Sequence, residues 1–339
     1  MRGGTTGLLA AGLVLVGLCA GAAKAEETTL IFATDGPTGT HVAVRMFHPW
    51  ADHINEVGKG VLHLDVRDGM SIVNPTNFYD RVQNDVVQIA WGSLGNLTGT
   101  FPHAEFSMLP FQAEKSVDAS VAFWRLYKNG QLDPDFKDVV PLMMTVYPQA
   151  DVHLAKPPKA PLDTLQGLRL MVVAKVSAQS IAALGGSPSS LPLPDLYPGL
   201  QHGTVDGAVV AWTAFQPYKL AEVTSYHYEM RLGASTGMVF MTKKRYDALP
   251  PAAKKILDEN SGETASRTLG TAWDEVADEA RKAAEADPKQ QVVYPTADAL
   301  AKWQKITAPV SAEWVKNTPG GEKVLTAFRT YLAQIKAGK

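Results

Sequence analysis

Short apolar runs alternate with longer amphipathic stretches through most of this chain, and the alternation stops near residue 150 and starts again. Strand, helix, strand in that order is the pattern of an open α/β sheet, and two separate series predict two sheets. In the first series, residues 29–33 read as a buried strand broken by Gly36, Pro37 and Gly39. Residues 42–57 read as a helix, with Val42, Met46, Trp50, Ile54 and Val57 on one face. A strand over 61–66, a short helix over 77–84 and a strand over 86–90 follow. In the second series, a helix over 116–128 leads to strand-like runs at 142–146 and 152–154, with Pro157, Pro158 and Pro161 marking a boundary. Strands at 167–173 and 207–210 enclose helices at 177–184 and 195–201, and a strand at 235–242 reads as a return to the first unit.

The fold class expected is therefore α/β with two lobes: 26–148 plus about 235–260 in the first, and 149–234 in the second. Pro250 and Pro251 open a polar, Ala-rich stretch to about residue 287 with no internal proline. Proline at a first turn starts helices. At ~1.5 Å per residue such a helix would run ~50 Å, longer than one lobe, so it is expected to lie across both. Helices at about 297–316 and 321–335 would complete a C-terminal region, 288–339.

Ahead of the first strand, Arg2, an uncharged apolar run over 8–19 and the small residues Ala23 and Ala25 have the form of a cleavable secretory signal. The run is short for a bilayer, which asks for about 20 apolar residues. Cleavage near Ala25 would place the remainder in the periplasm. A lipoprotein signal fits less well, because Leu18 precedes Cys19 where a small residue is wanted. Cys19 is the only cysteine, so the remainder can form no disulfide and must rely on core burial. The net charge of −2, with acids and bases interspersed, argues against nucleic acid as a partner.

An exported α/β chain invites a search for catalytic groups. Gly92-Ser-Leu-Gly95 lacks the spacing of a nucleophile elbow. No His-Glu-x-x-His, phosphate-binding Gly-Lys loop or dinucleotide fingerprint occurs, and His48 and His53 do not share a helical face. The expectation is a binding protein, not an enzyme, with no cofactor and no metal. In open α/β folds ligands bind beyond the carboxyl ends of strands. Four segments occupy that place: Thr40 and His41, Trp91 to Ser93, Tyr147 to Gln149, and Trp212 to Phe215. The expected ligand contacts are His41, Trp91, Ser93, Gln149, Met171, Trp212, Thr213, Phe215 and Thr236.

Several stretches together resemble one family, the periplasmic solute-binding proteins of tripartite ATP-independent periplasmic (TRAP) transporters of the dicarboxylate-receptor type. They are Trp50 to Val57 with Leu62 to Val66, Tyr79 to Gly92, Leu165 to Met171, Ala183 to Pro188, Leu196 to Gly207, and Phe240 to Pro250. The resemblance spans most of the exported part in the same order. It implies a two-lobed receptor that traps a small organic solute by lobe closure and delivers it to membrane permease subunits without nucleotide; the family is mostly monomeric, with dimers known, and a monomer is expected.

This chain departs from the pattern at the anchor. Most members end the strand of 165–171 with an arginine that pairs with the solute's carboxylate, a geometry suited to the guanidinium fork. Here that position is Met171, and the family's usual asparagine falls on Val210. One reading is a neutral or mostly apolar solute held by Trp91, Met171, Trp212 and Phe215. Another is an organic acid anchored by a different cation, such as Arg169, Lys175 or Arg45.

Overall fold

The computed structural model describes Met1 and residues 26–97 and 99–339. The expected export signal and its cleavage site at 2–25 lie outside the described residues. Two sheets carry the fold, as the two series of strands imply. The first has the order β2-β1-β3-β10-β4, built from β1 (Thr28–Thr34), β2 (Leu62–Arg67), β3 (Ile89–Ser93), β4 (Val139–Val146) and β10 (Thr236–Thr242). The second has the order β11-β9-β5-β8-β6-β7, from β5 (Asp151–Leu154), β6 (Arg169–Met171), β7 (Ser187–Ser189), β8 (Gly207–Val210), β9 (Tyr226–Tyr228) and β11 (Gln291–Val293). In each sheet the strand that arrives from the other lobe runs against its neighbours: β10 is antiparallel to β3 and β4, and β5 to β8 and β9.

Period-two alternation sorts the side chains of each strand onto two packed faces. In β1, Leu30 and Phe32 face the helix His48–Val57, while Ala33 faces the helices Ser116–Lys128 and Gly321–Lys336. In the second sheet, Leu170 and Val209 pack toward Ile181 and Trp303, and Met171, Ala208 and Val210 toward Leu196, Trp212 and Phe215.

Several elements differ from the sequence reading. The helix expected over 251–287 is two helices, Pro251–Glu259 and Glu263–Ala286. Gly262 has φ +92°, and its N–H is given to the carbonyl of Leu142 at 2.7 Å, so the break is fastened to the first sheet. The second helix, ~36 Å long at 24 residues, still reaches both lobes: Leu269 and Trp273 join the first core, Ala277 and Ala284 the second. The helix Ala297–Asn317 bridges them too, with Trp303 in the second lobe and Val310 and Trp314 in the first. The helix expected over 42–57 begins as a π-helical turn, Ala43–Phe47, before His48–Val57. Pro49 has no N–H to give to the preceding turn, which removes a regular helix bond there. The strand placed at 86–90 is shifted to Ile89–Ser93, because Asp85 (φ +55°) turns the chain first. The strand of 167–173 shortens to β6. The short strands β7, β9 and β11 carry too few residues for a period to show.

The lobes are joined by two crossings that bond to each other. Tyr147 N–H donates to the Ser235 carbonyl at 2.9 Å, Ala150 N–H to Gly233 at 2.7 Å, and Leu232 N–H to Ala150 at 2.8 Å. Gly233 sits at φ +100°, and a Cβ there would lie 2.2 Å from the carbonyl oxygen of Met108. Only glycine fits that approach.

Candidate functional site

A cavity of about 660 Å³ lies between the lobes, within the usual range for small-molecule sites. The ends of β1 and β3 and the segment 36–47 wall it from the first lobe. The end of β6, the loop 190–194 and residues 209–218 wall it from the second. The two crossings form its floor, and the helix Glu263–Ala286 closes the back with Trp273 and Val276.

One side of the cavity is aromatic. Trp91 packs against Phe47 (ring centroids 5.0 Å), Tyr147 (5.9 Å) and Trp273 (6.1 Å), and Tyr147 lies 4.7 Å from Trp273. All four rings line the space. β3 carries Trp91 inward because it continues to Ser93; Trp91 therefore sits within the strand, not after it. Ser93 Oγ lies 2.7 Å from Ser235 Oγ, which ties the end of β3 to the crossing.

Of the nine expected contacts, the cavity gathers His41, Trp91, Ser93, Met171 and Thr213. It does not gather Gln149, Trp212, Phe215 or Thr236. Trp212 and Phe215 are one turn apart on the 3₁₀ segment Trp212–Ala214 and its cap, and that spacing puts them on the same face. Their rings lie tilted against each other at 4.4 Å and pack against His153 and His227, while Trp212 Nε1 donates to Glu229 at 2.6 Å. Thr213 is left facing the cavity. Thr236 turns the other way from its lining neighbour Ser235, and its hydroxyl is 3.5 Å from the carbonyl of Ala104. Gln149 is buried away from the cavity, although Tyr147, Pro148 and Ala150 line it. In each of these segments the cavity is lined by neighbouring residues, and the local backbone turns these four side chains elsewhere.

Electrostatics separate this cavity from a carboxylate clamp. Among the described residues lining it there is no lysine or arginine. Arg169 is outside: it holds Asp206 at 2.8 Å and gives a further bond to the Gly203 carbonyl. Arg45 is paired with Glu279, also at 2.8 Å. Lys175 is not among the lining residues either. Met171 and Val210, 0 % and 5 % exposed, border the cavity as apolar residues where the resemblance placed polar anchors. His41 lines the mouth, with Nδ1 3.8 Å from Glu279.

The charged group that sequence reasoning passed over is Asp35. It directly follows β1, is 8 % exposed and opens onto the cavity. Burial pushes its carboxyl up from 3.8 to about 7, against the pull of the backbone N–H groups of Ser93 and Asp35 itself. Tyr147 and Tyr218 face it. Burial and its negative charge raise the Tyr218 hydroxyl to about 12 and the Tyr147 hydroxyl well above 10. The signal was available, since an acid at the carboxyl end of the first strand occupies the ligand-binding edge of such a sheet.

No described helix is long and apolar enough to cross a membrane. Among the described residues no cluster of three or more histidine, cysteine, aspartate or glutamate side chains is placed to hold a metal.

The model of a protein family described as bacterial extracellular solute-binding protein, family 7, matches residues 33–317. A Comamonas testosteroni protein named outer membrane transporter protein TsaT is 25% identical over 323 residues, 92% of this chain and 94% of its own length. A TRAP solute-binding protein from Rhodoferax ferrireducens, solved in complex with copurified benzoate, superposes with a TM-score of 0.84 at 28% identity, covering 92% of this chain and 100% of that one. A marine-metagenome TRAP solute-binding protein shares the fold with a TM-score of 0.84 at 24% identity, covering 91% and 99%.

Proposed function

The chain belongs to family 7 of the bacterial extracellular solute-binding proteins, and from that premise we propose that this TRAP-type receptor takes a small monocarboxylic acid with an aromatic body, not a dicarboxylate. The observation that carries the reading is a cavity with four aromatic rings on one side and no lysine or arginine among its described lining residues. A dicarboxylate brings two charges, each of which needs a strong partner once removed from water. An aromatic acid needs one polar partner and offers a flat ring to Trp91, Tyr147 and Trp273, where offset and edge packing adds to simple burial. The Rhodoferax relative solved with benzoate supports the same class.

The nearest cationic alternative loses its support from Arg169, whose guanidinium is engaged by Asp206 on the outer side of β6. His41, Trp91, Ser93, Met171 and Thr213 are the expected contacts that stay in this reading. Trp273, Tyr218, Ser235 and Asp35 join them. The receptor binds without chemical turnover, works as a monomer in the periplasm once residues 1–25 are removed, and hands its solute to the permease subunits of a TRAP transporter.

The test is thermal unfolding across a panel of benzoate, ring-substituted benzoates, benzyl alcohol, succinate and malate. A solute at a hundred times its Kd stabilises by about 2.7 kcal/mol, enough for a clear rise in midpoint. The aromatic monoacids are expected to stabilise and to be recovered unchanged. Stabilisation by the diacids alone would overturn the assignment.

A further inference from the structure

We propose that Asp35 is the polar anchor of the solute: its protonated carboxyl donates a hydrogen bond to the solute's carboxylate, so that the acid binds together with one proton. The inference rests on the aromatic-acid reading above and assigns the partner that reading leaves open.

An organic acid in this cavity meets no lysine or arginine among the described residues, and meets one carboxyl. Two carboxylates cannot both stay ionised at close quarters away from water; one proton shared between them removes the repulsion and supplies a short, charge-assisted bond. Asp35 is placed for that role. It is 8 % exposed, and that exposure is to the cavity. The backbone N–H groups of Ser93 and Asp35 that reach its carboxyl are donors, so they do not take up a proton on it, which stays free to be donated. Burial, which raises it to about 7, favours the neutral form relative to a carboxyl in water. A solute anion beside it favours that form further.

The other titratable groups of the cavity are few. Tyr147 faces Asp35 from the end of β4, and Tyr218 faces it from the loop after β8; both hold their protons far above neutral pH. His41 stands at the mouth beside Glu279. Its imidazole is a second side chain of the cavity that an anion could meet.

Calorimetric titration of the purified chain with benzoate from pH 5.5 to 8.5, in buffers of differing ionisation enthalpy, reads both affinity and proton uptake. Below the Asp35 transition Kd should be flat. Above it Kd should weaken about tenfold per pH unit, with uptake approaching about one proton per benzoate. Asp35→Asn keeps an N–H donor without a titratable proton. It should bind benzoate with a flat pH profile and no uptake, whereas His41→Gln should keep the slope, whatever its effect on absolute affinity.

A flat wild-type profile, or absent uptake, overturns the anchor without needing any variant to fold. So does an unchanged slope in Asp35→Asn, or a slope lost in His41→Gln alone. Affinity that rises with pH, or benzylamine binding in place of benzoate, overturns it by making Asp35 the ionised partner of a cation. If no aromatic acid binds even at pH 5.5, the aromatic-acid reading fails and the anchor with it; binding without proton linkage sinks the anchor alone.

Discussion

The two walls of the cavity are built by the same kind of sheet edge and carry different chemistry. On the first-lobe side the strand ends present Asp35, Trp91, Ser93 and, from the crossing, Tyr147. On the second-lobe side they present Met171 and Val210, with Leu191, Pro192 and Leu193 at the rim. The resemblance located the solute's anchor on the second wall, where most members have arginine and asparagine. Here that wall carries neutral polar groups, Thr213, Gln216 and Tyr218, but no charge among the described residues, and the buried carboxyl stands on the opposite one. A fold fixes where a ligand lies more firmly than it fixes which side holds the ligand's charge.

The sharpest way to break this contrast is to neutralise the first wall. Asp35 is held above its ordinary 3.8, at about 7, so the folded chain favours its protonated form. Its cost to stability is absent below about pH 4, grows between there and about pH 7, and is constant above. Asp35→Asn should therefore leave the empty receptor's stability nearly unchanged at pH 3.5 and raise it at pH 8, by at most about 4 kcal/mol. Urea denaturation at the two pH values measures this. A variant less stable than wild type at pH 8 would show the carboxylate to be a stabilising partner, and the contrast between walls would fail.

A smaller effect is expected from charging the second wall. Met171→Arg puts a guanidinium in a cavity whose buried carboxyl is Asp35. It would favour that group's ionised form, remove the proton donor and take up part of the space beside the rings. Affinity for benzoate should fall about tenfold, or ~1.4 kcal/mol, with the preference moving toward diacids. Unchanged benzoate affinity by calorimetry would mean that Met171 does not border the solute.

The smallest effect belongs outside both walls. Arg169→Ala breaks the pair with Asp206 on exposed surface and should change solute affinity by less than about twofold. A large loss would return the anchor to the second lobe.

Much of the fold was legible because the period of each long element is set by its own burial. Leu30, Phe32 and Ala33 in β1, and Val152 and Leu154 in β5, are buried to 1 % exposure or less and read directly as strand. The helix split at Gly262 was less legible, since one glycine weakens a helix pattern without ending it; what ends it here is the bond to Leu142, a residue far away in the chain. At the site, sequence located the strand ends but not the facing of each residue. Trp212 and Phe215 have the composition of ligand contacts, yet the 3₁₀ spacing turns both inward to His153 and His227. Asp35 has the composition of a turn residue, and only the surrounding walls make it a buried acid. Trp273 lies on a helix far along the chain, with no local mark that it completes the aromatic side.

The bonded pair of crossings has a mechanical consequence. Tyr147 and Ser235 are joined backbone to backbone across the two connections, and both also line the cavity floor. Any rocking of one lobe against the other would bend these crossings along with the bridging helices Glu263–Ala286 and Ala297–Asn317, so an axis through the crossings would run beside the cavity. Rotation about so close an axis moves the floor little and the far rim, at Pro192 and Leu193, much more. The solute's lower side would keep its shape through the whole swing, and discrimination between solutes can be completed there before the rim arrives.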